Sequence, residues 1–204
     1  MLISLLLLVA IHPFLEEGAI ARAVFLAFST GVLLSAAYAV SHTKRSLAVA
    51  LLLAMPAIVM GWSHLFVQTH TLHLISVTLF MLFYTYTLLL VLRHVLSVQE
   101  VTADEIYGAL SVYILIGFVW GLGYGVLERL VPGSFHSEVH GLGSADLIYY
   151  SFITLMTVGY GDMYPVSPIA RSLSVIEAMV GIIFIAVFIS RLVGMHTRGT
   201  KRST

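Results

Sequence analysis

The chain has no cysteine among its 204 residues. Disulfides, thiol catalysis and cysteine-ligated metals are therefore excluded. It has no asparagine either, so no N-glycosylation acceptor exists. Charge is scarce: only 10% of residues are charged, ten basic and ten acidic, for a net charge of zero. No basic run occurs beyond the short stretch Arg198 to Arg202, which leaves nucleic-acid binding without support. No histidine, acid and nucleophile set or metal set stands out, so an enzyme is not expected. Hydrophobic residues make up 59% of the chain and mean hydropathy is +1.01. A soluble domain of this size has too much surface for so few charges. Period-2 segments of the kind a membrane barrel needs are absent, so the reading is an all-helical, multi-pass membrane protein.

Six apolar stretches follow one another: Met1–Leu15, Ala19–Val40, Ser46–Phe66, Leu72–Leu92, Ile106–Leu127 and Pro168–Val193. The first is the shortest, and at about 1.5 Å per residue it spans a bilayer only if its surroundings thin or tilt. It lacks the positive region of a cleaved leader, so it is expected to be retained. With six spans and both termini cytoplasmic, seven basic residues lie inside: Lys44, Arg45, Arg93, Arg191, Arg198, Lys201 and Arg202. Arg22, Arg129 and Arg171 lie outside, which obeys the positive-inside rule. A seventh apolar stretch, Leu147–Met156, is too short to span, and a glycine-rich loop follows it. That pattern predicts a re-entrant half-helix, shielded by protein or water. Ser144 or Asp146 can cap it, and Thr102 with Glu105 has capping-box spacing for the fifth helix. Arg93–Val101 reads as a polar linker, and Val131–Ser144, rich in Gly, Ser, Pro and His, as an extracellular loop.

The loop after the half-helix reads Thr157-Val158-Gly159-Tyr160-Gly161-Asp162. It matches the known TVGYG signature of the potassium-channel selectivity filter. A potassium ion enters such a path only if oxygens replace its hydration shell. Successive backbone carbonyls must then face one axis, and glycine reaches the required angles cheaply. Gly159 and Gly161 are the permissive positions, Val158 and Tyr160 brace the loop, and the Thr157 hydroxyl adds an oxygen ring. The half-helix ends just before Thr157, so its partially negative end favours a cation there. Pro168 suits the first turn of the last helix.

From about Thr102 to Thr197 the chain resembles the pore module of potassium channels: outer helix, pore helix, filter and inner helix. It is most similar to small prokaryotic ion channels whose pore module follows several membrane segments and which lack a charged voltage-sensor helix. The resemblance implies that Tyr149 and Tyr150 form an aromatic cuff around Tyr160. It implies that Asp162 sits at the outer mouth and that Gly181 is the inner-helix gating hinge, with close packing as the competing reading. Two positions depart from the family. Met156 stands where many members carry a second threonine, and Ile153 where some carry a glutamate that pairs with the outer aspartate. Inactivation tied to that glutamate is not carried over. A second glycine motif, Gly123-Tyr124-Gly125, lacks the preceding threonine and valine. Gly121, Gly123 and Gly125 are read instead as sites of close helix packing.

Leu72–Leu92 contains no arginine, and Arg93 reads as an interfacial anchor, so conventional voltage gating is not expected. Glu177 is an acid inside an apolar stretch and thus a functional candidate. It is read as a hydrogen-bond acceptor behind the pore helix, with cavity facing and protonation as alternatives. The pairs His70/His73 and His136/His140 read mainly as solvated loop residues, with metal binding or external pH sensing as alternatives. Outer acids, Asp162 among them, would concentrate cations or simply form a solvated rim.

The expected organisation is a transmembrane bundle over 1–97, a pore module over 98–197 and a short basic tail over 198–204 carrying no regulatory domain. One filter strand per chain requires a homotetramer. The expected function is passive, potassium-selective conduction, with K+ as permeant ion at Thr157, Val158, Gly159 and Tyr160 and no cofactor. Expected partners are K+ and membrane lipid, with a separate regulatory subunit as an open alternative. The expected location is a prokaryotic inner membrane. A weakly selective cation channel and a non-conducting sensor or scaffold are the rival readings.

Overall fold

The computed structural model describes residues 1–11, 23–24, 26–32, 35, 44–63, 69–98, 103–138 and 142–202. The elements named below are those α1 Leu2–Ile11, α2 Lys44–Ser63, α3 His70–Ser97, α4 Ala103–Leu130, α5 Ser144–Leu155 and α6 Pro168–Arg202. Residues 26–32 are helical as well. Thr102, His140, the end of the first apolar stretch at 12–15 and much of the second lie outside the described residues.

Three helices among the described residues are long and apolar enough to cross a membrane: Thr71–Ser97, Ala103–Leu130 and Pro168–Gly194. Their apolar runs are unbroken by proline, and each exceeds the roughly 20 residues a bilayer core requires. Two are longer than hydropathy suggests. Arg93–Ser97, read as the start of a polar linker, forms the last turn of α3. The basic tail is likewise not a separate piece, since α6 continues to Arg202. Hydropathy marks where a helix leaves the apolar phase, while its backbone bonds carry on into water.

The helices pack in a chain of neighbours: α2 on α3, α3 on α4, α4 on α5 and α5 on α6, with α1 also against α4. One core joins the two halves, with Leu5, Leu8, Val32, Ala54, Phe83 and Tyr84 meeting Leu115, Phe118 and Ile148. Tyr84 stacks on Phe118, and Phe118 meets Phe152 edge-on. Part of the segment after α4 pairs with the segment before α6. Strand β1 (Phe135–Ser137) pairs antiparallel with β2 (Met163–Pro165), placing His136 opposite Tyr164. A pair this short has little pattern to read. It persists because Phe135 and Met163 bury themselves in a second core with Tyr124, Leu147, Tyr150 and Ile153.

Candidate ion-conduction site

The short helix α5 begins at Ser144, with Gly143 as N-cap. Ser144 is thus inside the helix, whereas Asp146 reaches back so that Gly143 N donates to its Oδ2 at 2.8 Å. The helix's other end is tied into the loop that follows. Met156 N donates to Phe152 O at 3.0 Å, and Thr157 N to Thr154 O at 3.0 Å. Val158 N and Gly159 N both donate to Ile153 O, at 2.8 and 3.2 Å. Leu155 O accepts the Tyr113 hydroxyl at 3.1 Å. Carbonyls that a helix end normally leaves unpaired are thus occupied by the loop and by α4.

The loop backbone alternates. Thr157, Gly159 and Gly161 have φ of 58°, 55° and 87°, while Val158 and Tyr160 stay on the negative side. Alternation of left- and right-handed residues turns successive peptide planes to the same side, and the amides of 156–159 already point back at α5. The glycines were legible as permissive positions. Thr157 was not: a β-branched residue at positive φ is strained by roughly 1–2 kcal/mol and persists only where its surroundings enforce it.

Around this loop, Tyr149 donates its hydroxyl to Asp162 Oδ2 at 2.8 Å. Partial burial, and then the bond to Asp162, push the Tyr149 hydroxyl up to about 12, so it remains a donor at neutral pH. Tyr150 turns the other way, donating to Ser174 Oγ at 2.6 Å while its ring meets Tyr124 and Phe135. Within one chain the two tyrosines therefore do not enclose Tyr160, which is 73% exposed. Asp162 O also accepts from Glu138 N at 3.2 Å, joining the 131–138 segment to the end of the 157–162 loop. Glu128 holds that loop's turn by accepting from Gly133 N at 2.7 Å and Phe135 N at 3.1 Å.

Behind α5 lies Glu177, with no exposed surface. Its Oε1 is 2.5 Å from Ser151 Oγ and its Oε2 is 2.6 Å from the Tyr124 hydroxyl. Ser151 Oγ is also 2.8 Å from Gly117 O. Glu177 thus has hydrogen-bond partners on two neighbouring helices, Ser151 on α5 and Tyr124 on α4. Tyr124 and Ser151 were missed as its partners; the available signal was a lone hydroxyl in a short apolar helix. Tyr124 belongs to the second glycine motif, which here packs a helix and lines no loop.

Gly181 sits where α6 crosses the end of α5. A Cβ there would collide with the Leu155 carbonyl oxygen, and α6 runs through this point unbroken. At Gly121 a Cβ would lie 2.7 Å from Ile148 Cα, and at Gly117 2.5 Å from the Phe152 ring. Gly123 and Gly125 have no such neighbour: the first reaches only Met81 Sδ at 3.8 Å and the second nothing within 4 Å. Of the three glycines read as packing sites, Gly121 alone is required by close approach. Arg191 on α6 was read only as an inner-side charge. Its guanidinium donates to the carbonyls of Val95 at 2.5 Å, Leu96 at 2.8 Å and also Val98, which close the end of α3. Among the described residues no cluster of three or more His, Asp or Glu forms a metal site. His136 instead lies against Tyr164, ring centroids 4.9 Å apart.

Residues 113–198 match the family model described as "Ion channel". The chain is 31% identical over 94 residues to the inward rectifier potassium channel Kirbac3.1 of Paramagnetospirillum magnetotacticum, covering 44% of this chain and 29% of that protein. It is 31% identical over 116 residues to the voltage-gated potassium channel Kch of Escherichia coli (strain K12), covering 57% of this chain and 26% of that protein. It is 35% identical over 66 residues to two pore potassium channel c of Oryza sativa subsp. japonica, covering 31% of this chain and 14% of that protein. The chain thus spans less than a third of each of these relatives. No solved structure gives a significant match.

Proposed function

We propose, from a chain whose carboxy-terminal half belongs to the potassium-channel pore-module family, that it conducts K+ passively and selectively as a homotetramer. The observation that carries this is the alternating backbone of residues 157–161, held by amides that bond back to the pore helix. Such a strand has carbonyl oxygens of Thr157, Val158, Gly159 and Tyr160 to spare for a dehydrated ion. Gly161 completes the outer turn and Asp162 lies at the mouth. In this reading α5 is re-entrant, α4 is the outer helix and α6 the inner helix.

Four copies are supported by what one copy leaves uncovered. Val158 and Tyr160 are exposed beside the filter, and Met179, Ile182 and Ile183 present 55%, 56% and 55% of their surface along α6. Neighbouring copies would bury these residues and complete the cuff of Tyr149 and Tyr150 around each Tyr160. The remaining apolar surface would meet lipid. We read six spans, with both termini in the cytoplasm of a prokaryotic cell. The helix α3 has no arginine before Arg93, which supports gating by something other than voltage. The close approach at Gly181 supports a packing contact there; a hinge at the same residue would have to open it.

A weakly selective cation channel is the second reading. It rests on Met156, which is 47% exposed at the inner end of the filter in place of the hydroxyl many channels carry. Flux through purified protein in liposomes tests both. Barium-sensitive flux that strongly favours K+ over Na+, and vanishes in Gly159→Asp, is the expected result. Comparable Na+ flux supports the second reading. Assembled tetramers that pass neither ion, even with Gly181 substituted to free the inner helix, point to a non-conducting sensor.

A further inference from the structure

Glu177 touches three helices at once, and the protons available there decide its charge. Three short oxygen–oxygen contacts meet at this point: Ser151 Oγ to Gly117 O at 2.8 Å, Ser151 Oγ to Glu177 Oε1 at 2.5 Å, and the Tyr124 hydroxyl to Glu177 Oε2 at 2.6 Å. Two oxygens approach this closely only with a proton between them. The Gly117 carbonyl brings none. Ser151 and Tyr124 bring one each, because a hydroxyl has a single O–H. An ionised carboxylate therefore leaves one of the three contacts without a proton.

We propose that Glu177 is held as a neutral carboxylic acid, and that its proton makes it the residue that positions the pore helix. The acid donates from Oε1 to Ser151 Oγ. Ser151 is then free to donate to the Gly117 carbonyl, and Tyr124 donates to Glu177 Oε2. Every contact is satisfied and each bond polarises the next. The surroundings agree. Glu177, Ser151 and Tyr124 have no exposed surface, and no cation bonds to Glu177 among the described residues. The titratable groups that face it from α4 and α5 are the phenols of Tyr113, Tyr124 and Tyr150, none of which offsets a negative charge. A buried, unpaired carboxylate in such a site is strongly disfavoured.

The consequence concerns the filter. Ser151 lies two residues before Ile153, whose carbonyl holds the amides of Val158 and Gly159. A proton-complete junction at Ser151 fixes the helix that fixes those amides. This assignment of function rests on the channel reading, whereas the protonation state does not.

Infrared difference spectra of Glu177→Gln against the native protein test the charge directly. Loss of an acid carbonyl band at neutral pH is expected, and its displacement in Ser151→Ala. Loss of carboxylate stretches instead overturns the proposal. If Glu177→Gln fails to assemble, native protein carrying isotope-labelled glutamate is read for the same bands, and an absent acid carbonyl overturns it equally. For the positioning role, glutamine mimics the acid, donating to Ser151 and accepting from Tyr124, whereas alanine orphans both. The K+/Na+ flux ratio is expected to stay within about twofold in Glu177→Gln and to fall at least about tenfold in Glu177→Ala. Equal loss in both overturns the positioning role. Should the native protein pass no ion, the infrared result still stands and only the channel reading falls.

Discussion

Hydroxyl groups behave differently in the two halves of this molecule. Before residue 98 they mostly serve their own helix. Thr30, Ser76, Thr78, Thr85 and Ser97 each donate to a carbonyl three or four residues earlier. Among the described residues the helices there meet chiefly through apolar contacts, with polar links between Ser4 and Ser35, 3.3 Å apart, and between Trp62 and Thr30, also at 3.3 Å. After residue 103 Ser111, Ser172 and Ser174 still serve their own helix, but other polar side chains cross from helix to helix: Tyr113 to Leu155, Tyr124 and Ser151 to Glu177, Tyr150 to Ser174. The glycines differ in part the same way. Gly61 in α2 is approached by side-chain ends of Leu26 and Phe80, and Gly117 in α4 by the Phe152 ring, while Gly121 and Gly181, both in the second half, are approached by backbone. Apolar contact fills space but fixes position loosely, since side chains slide and repack. Hydrogen bonds and backbone contact fix position closely. If the second half holds oxygens at ion-binding distance, as proposed, it needs the second kind, whereas apolar packing alone needs only the first.

The comparison breaks most readily at Gly181. Replacing it with alanine forces α6 away from the Leu155 carbonyl, with an expected destabilisation of roughly 1–3 kcal/mol in tetramer melting and a lower K+/Na+ flux ratio. An unchanged melting curve would mean that the junction is looser than its geometry. Next comes Arg191, the one described polar link from α6 to the end of α3. Arg191→Gln is expected to change how much the channel conducts, because the inner helix loses its hold on the amino-terminal bundle, and to leave the flux ratio unchanged. A shifted ratio would place Arg191 with the filter-supporting residues instead.

A smaller effect is expected at Tyr149. Tyr149→Phe removes the donor to Asp162. The group is partly exposed, so the loss is about 1 kcal/mol. It should show as a smaller difference between tetramer melting in K+ and in Na+, because ion binding stabilises the assembled filter. An undiminished difference would remove that bond from the account of the mouth. The smallest change is at Gly125, where nothing lies within 4 Å. Gly125→Ala is expected to be neutral or to stabilise by less than about 1 kcal/mol in the same melting assay. A large loss would reveal a neighbour in the tetramer that one chain does not contain.

Much of the candidate site was legible before any coordinates. The proposed filter is six consecutive residues, and its glycines announce a backbone that other residues avoid, which residues 159 and 161 adopt. The intramembrane acid announces itself because water-soluble chemistry is rare in an apolar run. Less local features were not legible. Nothing in the residues around Tyr124 says that its hydroxyl meets an acid 53 positions later. Likewise Arg191 looks like any inner-side charge until α3 is seen to end beside it. The pairing of Phe135–Ser137 with Met163–Pro165 is too short to leave a period in the sequence.

By itself, then, the sequence determined the apolar helices and the proposed ion path. Hydropathy sets the free energy of leaving water residue by residue, and the carbonyls of the proposed filter belong to neighbouring residues, so both are local properties. The tertiary structure alone decided which helix each polar group would serve, that Gly181 touches the end of α5, and that three oxygen–oxygen contacts among α4, α5 and α6 share too few protons for Glu177 to be charged. Those are properties of distances between residues far apart in the chain. Such distances exist only once the helices have packed.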